Sequence, residues 1–448
     1  MSAGFVVSGR AAAEADSGEA AGWRPVTRVL FRFGLVYFGL FAILTQVILE
    51  LPGMALWWKP IGLGLPEPGV EWVGRAVFGV EVVRRDSGSG DTAYDWVLLF
   101  CILVTAAGAT VVWSVLDRKR VDYRAAAGWS MVFLRVCLAA TMLSYGIVKV
   151  FQLQMPSPSL ARLVQPFGEL TPMEVLWSQV GVSPVYESVL GATEILCGVL
   201  LLIPRTAAAG ALATAFGGAQ IWILNMTYDV PVKILSFNIL LMALALAAPE
   251  ARRIATVFLG NATGPSTAPR AGGTVRQRRV VATLQIVLLL WLLIAGTAKG
   301  AVSWQQRQDT PELYGIWEVA TFVRDGESIA PLVGDENRWR RIIFDRQDTV
   351  TIQTMTDRFS SARAEFADGT LALHARTDAD ATPWATFIVE RPTSDHLRLI
   401  GEANGHLLVL ELTLRDPSAF SLRREGFHWV NEYPNNNCVS GRPACPAR

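Results

Sequence analysis

Seven stretches of this chain are apolar over lengths that cross a bilayer core of roughly 30 Å: about residues 28–50, 95–115, 129–152, 184–203, 206–224, 233–248 and 280–301. In hydrocarbon every backbone amide must be hydrogen-bonded within its own segment, so each run is expected to be a helix and the set a seven-span bundle. The sixth run is short, and Pro231 just before it points to a helix that starts inside the membrane boundary or tilts little. Half of the residues are hydrophobic and 18% are charged, a balance that fits an integral membrane protein carrying a soluble part. Forty basic residues against 39 acidic ones give a net charge of +1, which excludes a basic nucleic-acid binder.

The arginines orient the spans. Arg24, Arg28 and Arg32 open the first run, which is therefore expected to insert as an uncleaved anchor. Arg118, Lys119, Arg120 and Arg124 follow the second span, Arg205 the fourth, and Arg252, Arg253, Arg270, Arg276, Arg278 and Arg279 the sixth. All of these ends come out cytoplasmic, so the N-terminus is expected inside a bacterial inner membrane and everything after the seventh span in the periplasm or outside the cell. The expected divisions are a disordered tail (1–22), a six-helix membrane domain (23–250), a flexible cytoplasmic linker (251–279), the seventh helix (280–301), a β-domain (306–435) and a cysteine-containing tail (436–448). In an oxidising compartment Cys438 and Cys445 are a candidate disulfide, whereas Cys101, Cys137 and Cys197 lie in apolar runs as small core residues. The cysteines form no metal pattern.

Tyr145, Lys149 and Gln152 recur at helical spacing at the outer end of the third span, with Gln154 just beyond. An ammonium in or near a bilayer core costs at least a few kcal/mol, which marks Lys149 as a functional candidate; a lysine snorkelling to the headgroups is the plainer alternative. Asp91, Thr92 and Tyr94 precede the second span, and Asn225, Tyr228, Asp229 and Lys233 join the fifth to the sixth. On the seven-span topology these groups meet at one outer mouth, where oppositely charged pairs such as Lys149 with Asp91 or Asp229 would offset each other's burial. Each set also reads as helix caps, with Asp91 or Thr92 capping the second span and Asp229 starting the sixth. In the fourth span Glu187, Gly191 and Glu194 share one face, and Glu194 is placed either to carry a proton or to pair with Lys149. Lys149, Glu194 and Asp229 are the catalytic candidates, and the remaining polar groups are binding candidates. The long first outer loop, residues 51–90, suits a segment lying in the interface or covering the mouth, with Trp57 and Trp58 in an interfacial belt.

After the seventh span the pattern changes to period-two alternation with turn dipeptides at Asp368-Gly369 and Asn404-Gly405, the signature of an antiparallel β-domain. Gly315-Ile316-Trp317 resembles the Gly-x-Trp element that opens lipocalin-type barrels, and a barrel filled by its own side chains is expected. The closing stretch with His428, Trp429, Asn431, Glu432 and Tyr433 is read either as packing or as a dock onto the mouth.

Taken together, GSGDT-x-Y before one span, SYG-x-x-K-x-F-x-x-Q ending the next, and N-x-x-YDVPVK two spans later resemble DoxX-family membrane proteins. The resemblance is greatest to long forms with a C-terminal GIW…GFHW…NEYP domain, and it covers about residues 25–435. It implies quinone-related or thiol redox chemistry at the membrane, since the family is named for a subunit of a thiosulfate:quinone oxidoreductase. The chain has no CxxC pair, CxxCH or GxGxxG, hence no visible electron carrier of its own. Two classes stay open: an oxidoreductase-related protein binding a quinone or similar lipophilic molecule, and a structural or accessory subunit whose polar cluster docks the β-domain or a partner subunit. Transport is disfavoured by the absence of a repeat and the odd span count.

Overall fold

The computed structural model describes residues 22–54, 66–85, 88, 90–266, 268–346, 348–376, 382–424 and 429–430. The cysteine pair, Trp57 and Trp58, the N-terminal tail to residue 21, and His428 with Asn431, Glu432 and Tyr433 lie outside these residues. Seven helices carry the apolar runs: α1 (Pro25–Leu44), α2 (Ala93–Leu116), α3 (Arg124–Val150), α4 (Pro184–Leu202), α5 (Ala207–Thr227), α6 (Lys233–Ala247) and α7 (Val275–Gln308). Each is long and apolar enough to cross a membrane, so the chain is an integral membrane protein.

Several boundaries differ from the sequence reading, among them the seventh helix, which runs from Val275 to Gln308. Helix α1 stops at Leu44, and Gln46–Glu50 continues as a 3-10 turn that carries Glu50 back toward the bundle. The sixth span is not short: α6 runs through a 3-10 turn at Ala248–Glu250 into a further helix, Ala251–Phe258, making 26 residues. Pro249 sits at the start of that turn, where its missing N–H costs little. The stretch expected to be a loose linker therefore begins as helix, and its Arg270–Ala271 backbone lies against Gly128 of α3, so close that a Cβ there would be 2.4 Å from the Arg270 carbonyl.

The chain divides into two units: residues 1–151 with 188–301, and residues 152–187 with 302–448. In the first, α3 is the central helix, with 56% of its most apolar window buried, whereas α7 is peripheral at 17%. Phe41, Ile102, Leu138, Leu143, Leu201, Leu202 and Met242 are fully buried in one core. Residues 66–85, between the first and second spans, contribute Val70 and Val82 to that same core. This part of the loop is therefore packed on the bundle through Val70 and Val82, while Trp72, Val77 and Phe78 are exposed.

The second unit is a closed antiparallel barrel. Strands β1 (Gly315–Arg324), β2 (Glu327–Ser328), β3 (Trp339–Arg346), β4 (Thr349–Thr354), β5 (Phe359–Ala367), β6 (Thr370–His374), β7 (Ala385–Thr393), β8 (His396–Ala403) and β9 (His406–Arg415) pair in sequence order except that β1 joins β3, with β2 a short appendage. Pairing of β1 with β9 closes eight strands and leaves no long free edge. The turns form as read: Asp368-Gly369 and Asn404-Gly405 both have positive φ at each residue, the requirement of a two-residue hairpin. Asp325-Gly326 makes a third of the same kind between β1 and β2. The interior is filled by side chains, with Trp317, Phe344, Phe387, Leu399 and Leu410 almost wholly buried. The indole of Trp317 donates to the Leu313 carbonyl at 2.8 Å.

Residues 152–187, read from sequence as part of the membrane domain, belong with the barrel. Leu160, in the short helix Leu160–Val164, is fully buried with Ile316 of β1 and Ile343 of β3, and its N–H donates to Asp345 Oδ2 at 3.0 Å. The signal was faint because the loop contributes one short apolar cluster rather than a run.

Candidate functional site

Two polar networks form in the membrane unit where the sequence placed one. The first is built on a backbone contact between α3 and α4. Gly146 and Gly191 face each other so closely that a Cβ at Gly191 would be 2.5 Å from the Gly146 carbonyl oxygen, and one at Gly146 would be 2.7 Å from that of Gly191. Lys149 and Glu194 each lie three residues beyond one of these glycines, so the contact sets them side by side. Lys149 Nζ donates to both carboxylate oxygens of Glu194, at 2.7 and 2.6 Å, and both residues are more than nine-tenths buried. The ammonium also lies 5.6 Å from the ring centre of Tyr145, a cation–π arrangement given by the i, i+4 spacing. Ser188 extends the seam by donating to the Val150 carbonyl at 3.3 Å.

Glu50 and Lys299 join this network, and sequence reasoning passed over both. Ser144, next to Tyr145 on α3, and Lys299 on α7 both lie near enough to act on the Glu50 carboxylate. The charges of Glu50 and Glu194 both reach Tyr145. Lys149, Glu194 and Glu50 thus all act on Tyr145, and Lys299 acts on Glu50. The signal was available: Glu50 and Lys299 are ionisable residues at the ends of apolar runs, as Lys149 is.

The second network fastens α2, α5 and α6. Asp91 accepts from the backbone N–H groups of Lys233 (2.7 Å) and Ile234 (3.0 Å), so it caps α6 across 142 positions of sequence. Lys233 Nζ bonds Asp229 at 2.8 Å and lies 3.8 Å from Asp91. Of the two pairings open to Lys149, the one with Glu194 forms and the one with Asp91 or Asp229 does not, because both aspartates take Lys233. Thr92 caps α2 in a reciprocal box with Asp95. Buried Asn225 donates to the Val232 carbonyl at 3.5 Å, and Tyr228 ends α5. Tyr94 is buried beneath the first loop with its hydroxyl unpartnered, near the Glu67–Arg84 pair. A further buried hydrogen bond, Tyr37 to Asn238 at 2.7 Å, joins α1 to α6.

Gln152, Gln154 and Glu187 fall in the barrel unit. Gln152 turns the chain with φ +56°, Gln154 accepts the Trp177 indole N–H through its backbone carbonyl, and Glu187 Oε1 accepts from the Met155 N–H at 2.8 Å. Among the described residues no group of three or more His, Cys, Asp or Glu side chains is arranged to hold a metal ion.

No family model matches this sequence, and no solved structure matches it. Over 133 residues it is 34% identical to YwoB of Bacillus subtilis (strain 168), described as an uncharacterized protein, in a match that takes in 28% of this chain and 79% of YwoB. With that identity over most of the relative's length, the chain belongs to the family of YwoB.

Proposed function

We propose that this is a DoxX-like, oxidoreductase-related membrane protein that binds a quinone or similar lipophilic carbonyl compound at the Lys149–Glu194 network. On this reading the N-terminus is cytosolic, and the network and the barrel face the periplasm of a bacterial inner membrane, in accord with the arginine distribution. The observation that carries the reading is the buried Lys149–Glu194 pair with Tyr145 and Glu50 beside it. An ammonium has three N–H donors and Glu194 engages two oxygens, which leaves one donor for a ligand carbonyl. A cation held beside a carbonyl oxygen stabilises the negative charge that develops there on reduction, and Glu194 or Glu50 is placed to hold or release the accompanying proton. Electrons would come from a partner subunit or a thiol donor, since the chain carries no electron carrier that its sequence reveals.

The second reading, a structural or accessory subunit, rests on a specific observation: the pair closes on itself across the Gly146–Gly191 contact and locks α3 to α4. One experiment separates them. Protein purified in mild detergent is extracted and its lipophilic contents are identified by mass spectrometry, for wild type, Lys149→Ala, Glu194→Gln and the double variant Lys149→Met/Glu194→Met. A quinone-type compound present in wild type and lost in all three variants, with monodisperse folded protein, supports the ligand site. Identical contents in equally folded preparations overturn it and leave the structural reading.

A further inference from the structure

At the opposite end of α3 from Lys149 lies a groove of a different character. Two adjoining cavities of about 1120 and 520 Å³ open between the starts of α3 and α7, the 266–278 connection and the α4–α5 turn. Arg124 and Arg276 line the first, Arg135, Arg205 and Arg253 the second, and Arg270 and Arg278 both: seven guanidiniums against one carboxylate, Glu250. Glu250 is already held by Arg253 and Ser266.

Three further observations define what such a groove accepts. Gln285 of α7 is 3% exposed and lines both cavities, and its Nε2 is buried without a partner. Arg135 lies within the span, about 16 Å along the helix from Arg124, and its hydrogen bond is a 3.3 Å contact with Met131 of its own helix. Among the described residues it has no acidic partner. The contrast is Arg32, equally within a span, whose guanidinium is satisfied by Tyr123, Ser114 and the Asp117 carbonyl. The walls include Trp129, Val280 and Leu284, all more than half exposed on faces that in a bilayer meet acyl chains.

We infer that this groove binds an anionic phospholipid, its phosphate on Arg135, Arg270 and Arg278 with Gln285 donating, and its chains along Trp129 and Leu284. Basic pockets between membrane helices recognise such headgroups. A soluble phosphate could use the outer arginines alone, since Arg135 lies at membrane depth and the apolar walls offer it nothing. The inference is independent of the quinone reading, which concerns the other end of the bundle.

The test is native mass spectrometry and thermal unfolding of the delipidated full chain titrated with dioctanoyl phosphatidylglycerol, dioctanoyl phosphatidylcholine or glycerol phosphate. Phosphatidylglycerol is expected to bind and raise the melting temperature, phosphatidylcholine and glycerol phosphate to do neither. Arg270→Ala/Arg278→Ala, which alters exposed side chains, should weaken phosphatidylglycerol binding about tenfold. Gln285→Leu should weaken it while the protein stays folded, and Arg118→Ala, which removes an exposed arginine outside both cavities, should leave it unchanged. Equal binding of phosphatidylcholine, equal stabilisation by glycerol phosphate, or wild-type affinity in the double-arginine variant would each overturn the assignment.

Discussion

Lys149 and Glu194 form a buried pair whose worth appears only when it is broken unevenly. Removing one partner leaves an uncompensated charge in an apolar bundle, at a cost of about 3–5 kcal/mol, whereas replacing both by apolar residues of similar size is close to neutral. Lys149→Ala and Glu194→Ala are therefore each expected to melt well below wild type in detergent, and Lys149→Met/Glu194→Met to recover most of the loss. A double variant as unstable as the singles would mean that the pair contributes more than mutual neutralisation. In the barrel unit, Glu174 is held at a pKa of about 2 by its hydrogen bond to Arg162 and its place in the Thr171 capping box. A carboxylate depressed below its ordinary 4.5 stabilises the fold fully above that value and ceases to do so as pH falls toward 2. Glu174→Gln should therefore narrow the stability difference from wild type progressively over that interval, measured as melting temperature against pH. The residues of this site were legible in proportion to how foreign they are to their surroundings. A lysine and a glutamate within apolar runs announce themselves; the role of Asp91 as a distant cap does not, because its partners are backbone amides 142 positions away.

At the scale of elements, the glycines decide whether the pair can exist. The α3–α4 approach has no room for a side chain, and Gly191 additionally lies where a Cβ would come within 2.8 Å of the Lys149 Cβ. Gly191→Leu should force the helices apart, lengthen or break the 2.6 Å contact and destabilise the bundle by roughly 1–3 kcal/mol or more. A leucine tolerated at full stability would show that the helices can separate without loss. The helices themselves were readable because hydrocarbon leaves one solution for a long apolar run, and the hairpins because Asp-Gly and Asn-Gly supply the positive φ that the turns need. The extension of α6 past Ala248 was not, since its amphipathic final turns and Pro249 look like an ending.

At the scale of the molecule, the barrel unit supplies a check on topology that uses no charge rule. Leu160 follows α3 and Asp345 follows α7, yet they are bonded, so both lie on one side of the membrane and an even number of spans separates them. The four helices α4 to α7 satisfy this. Which side it is remains the arginines' prediction: with Cys438 and Cys445 replaced by serine, Glu327→Cys in β2 should react with a membrane-impermeant thiol reagent in intact cells. Labelling only after lysis would invert the orientation and move the barrel to the cytosol.

The same bond sets an order of events during synthesis. At about 5–20 residues per second, the 185 positions between Leu160 and Asp345 take on the order of 10–40 s to make. For that interval the loop after α3 is complete, exposed and without the surface that will bury Leu160. A chain stopped short of the barrel would keep that apolar patch uncovered.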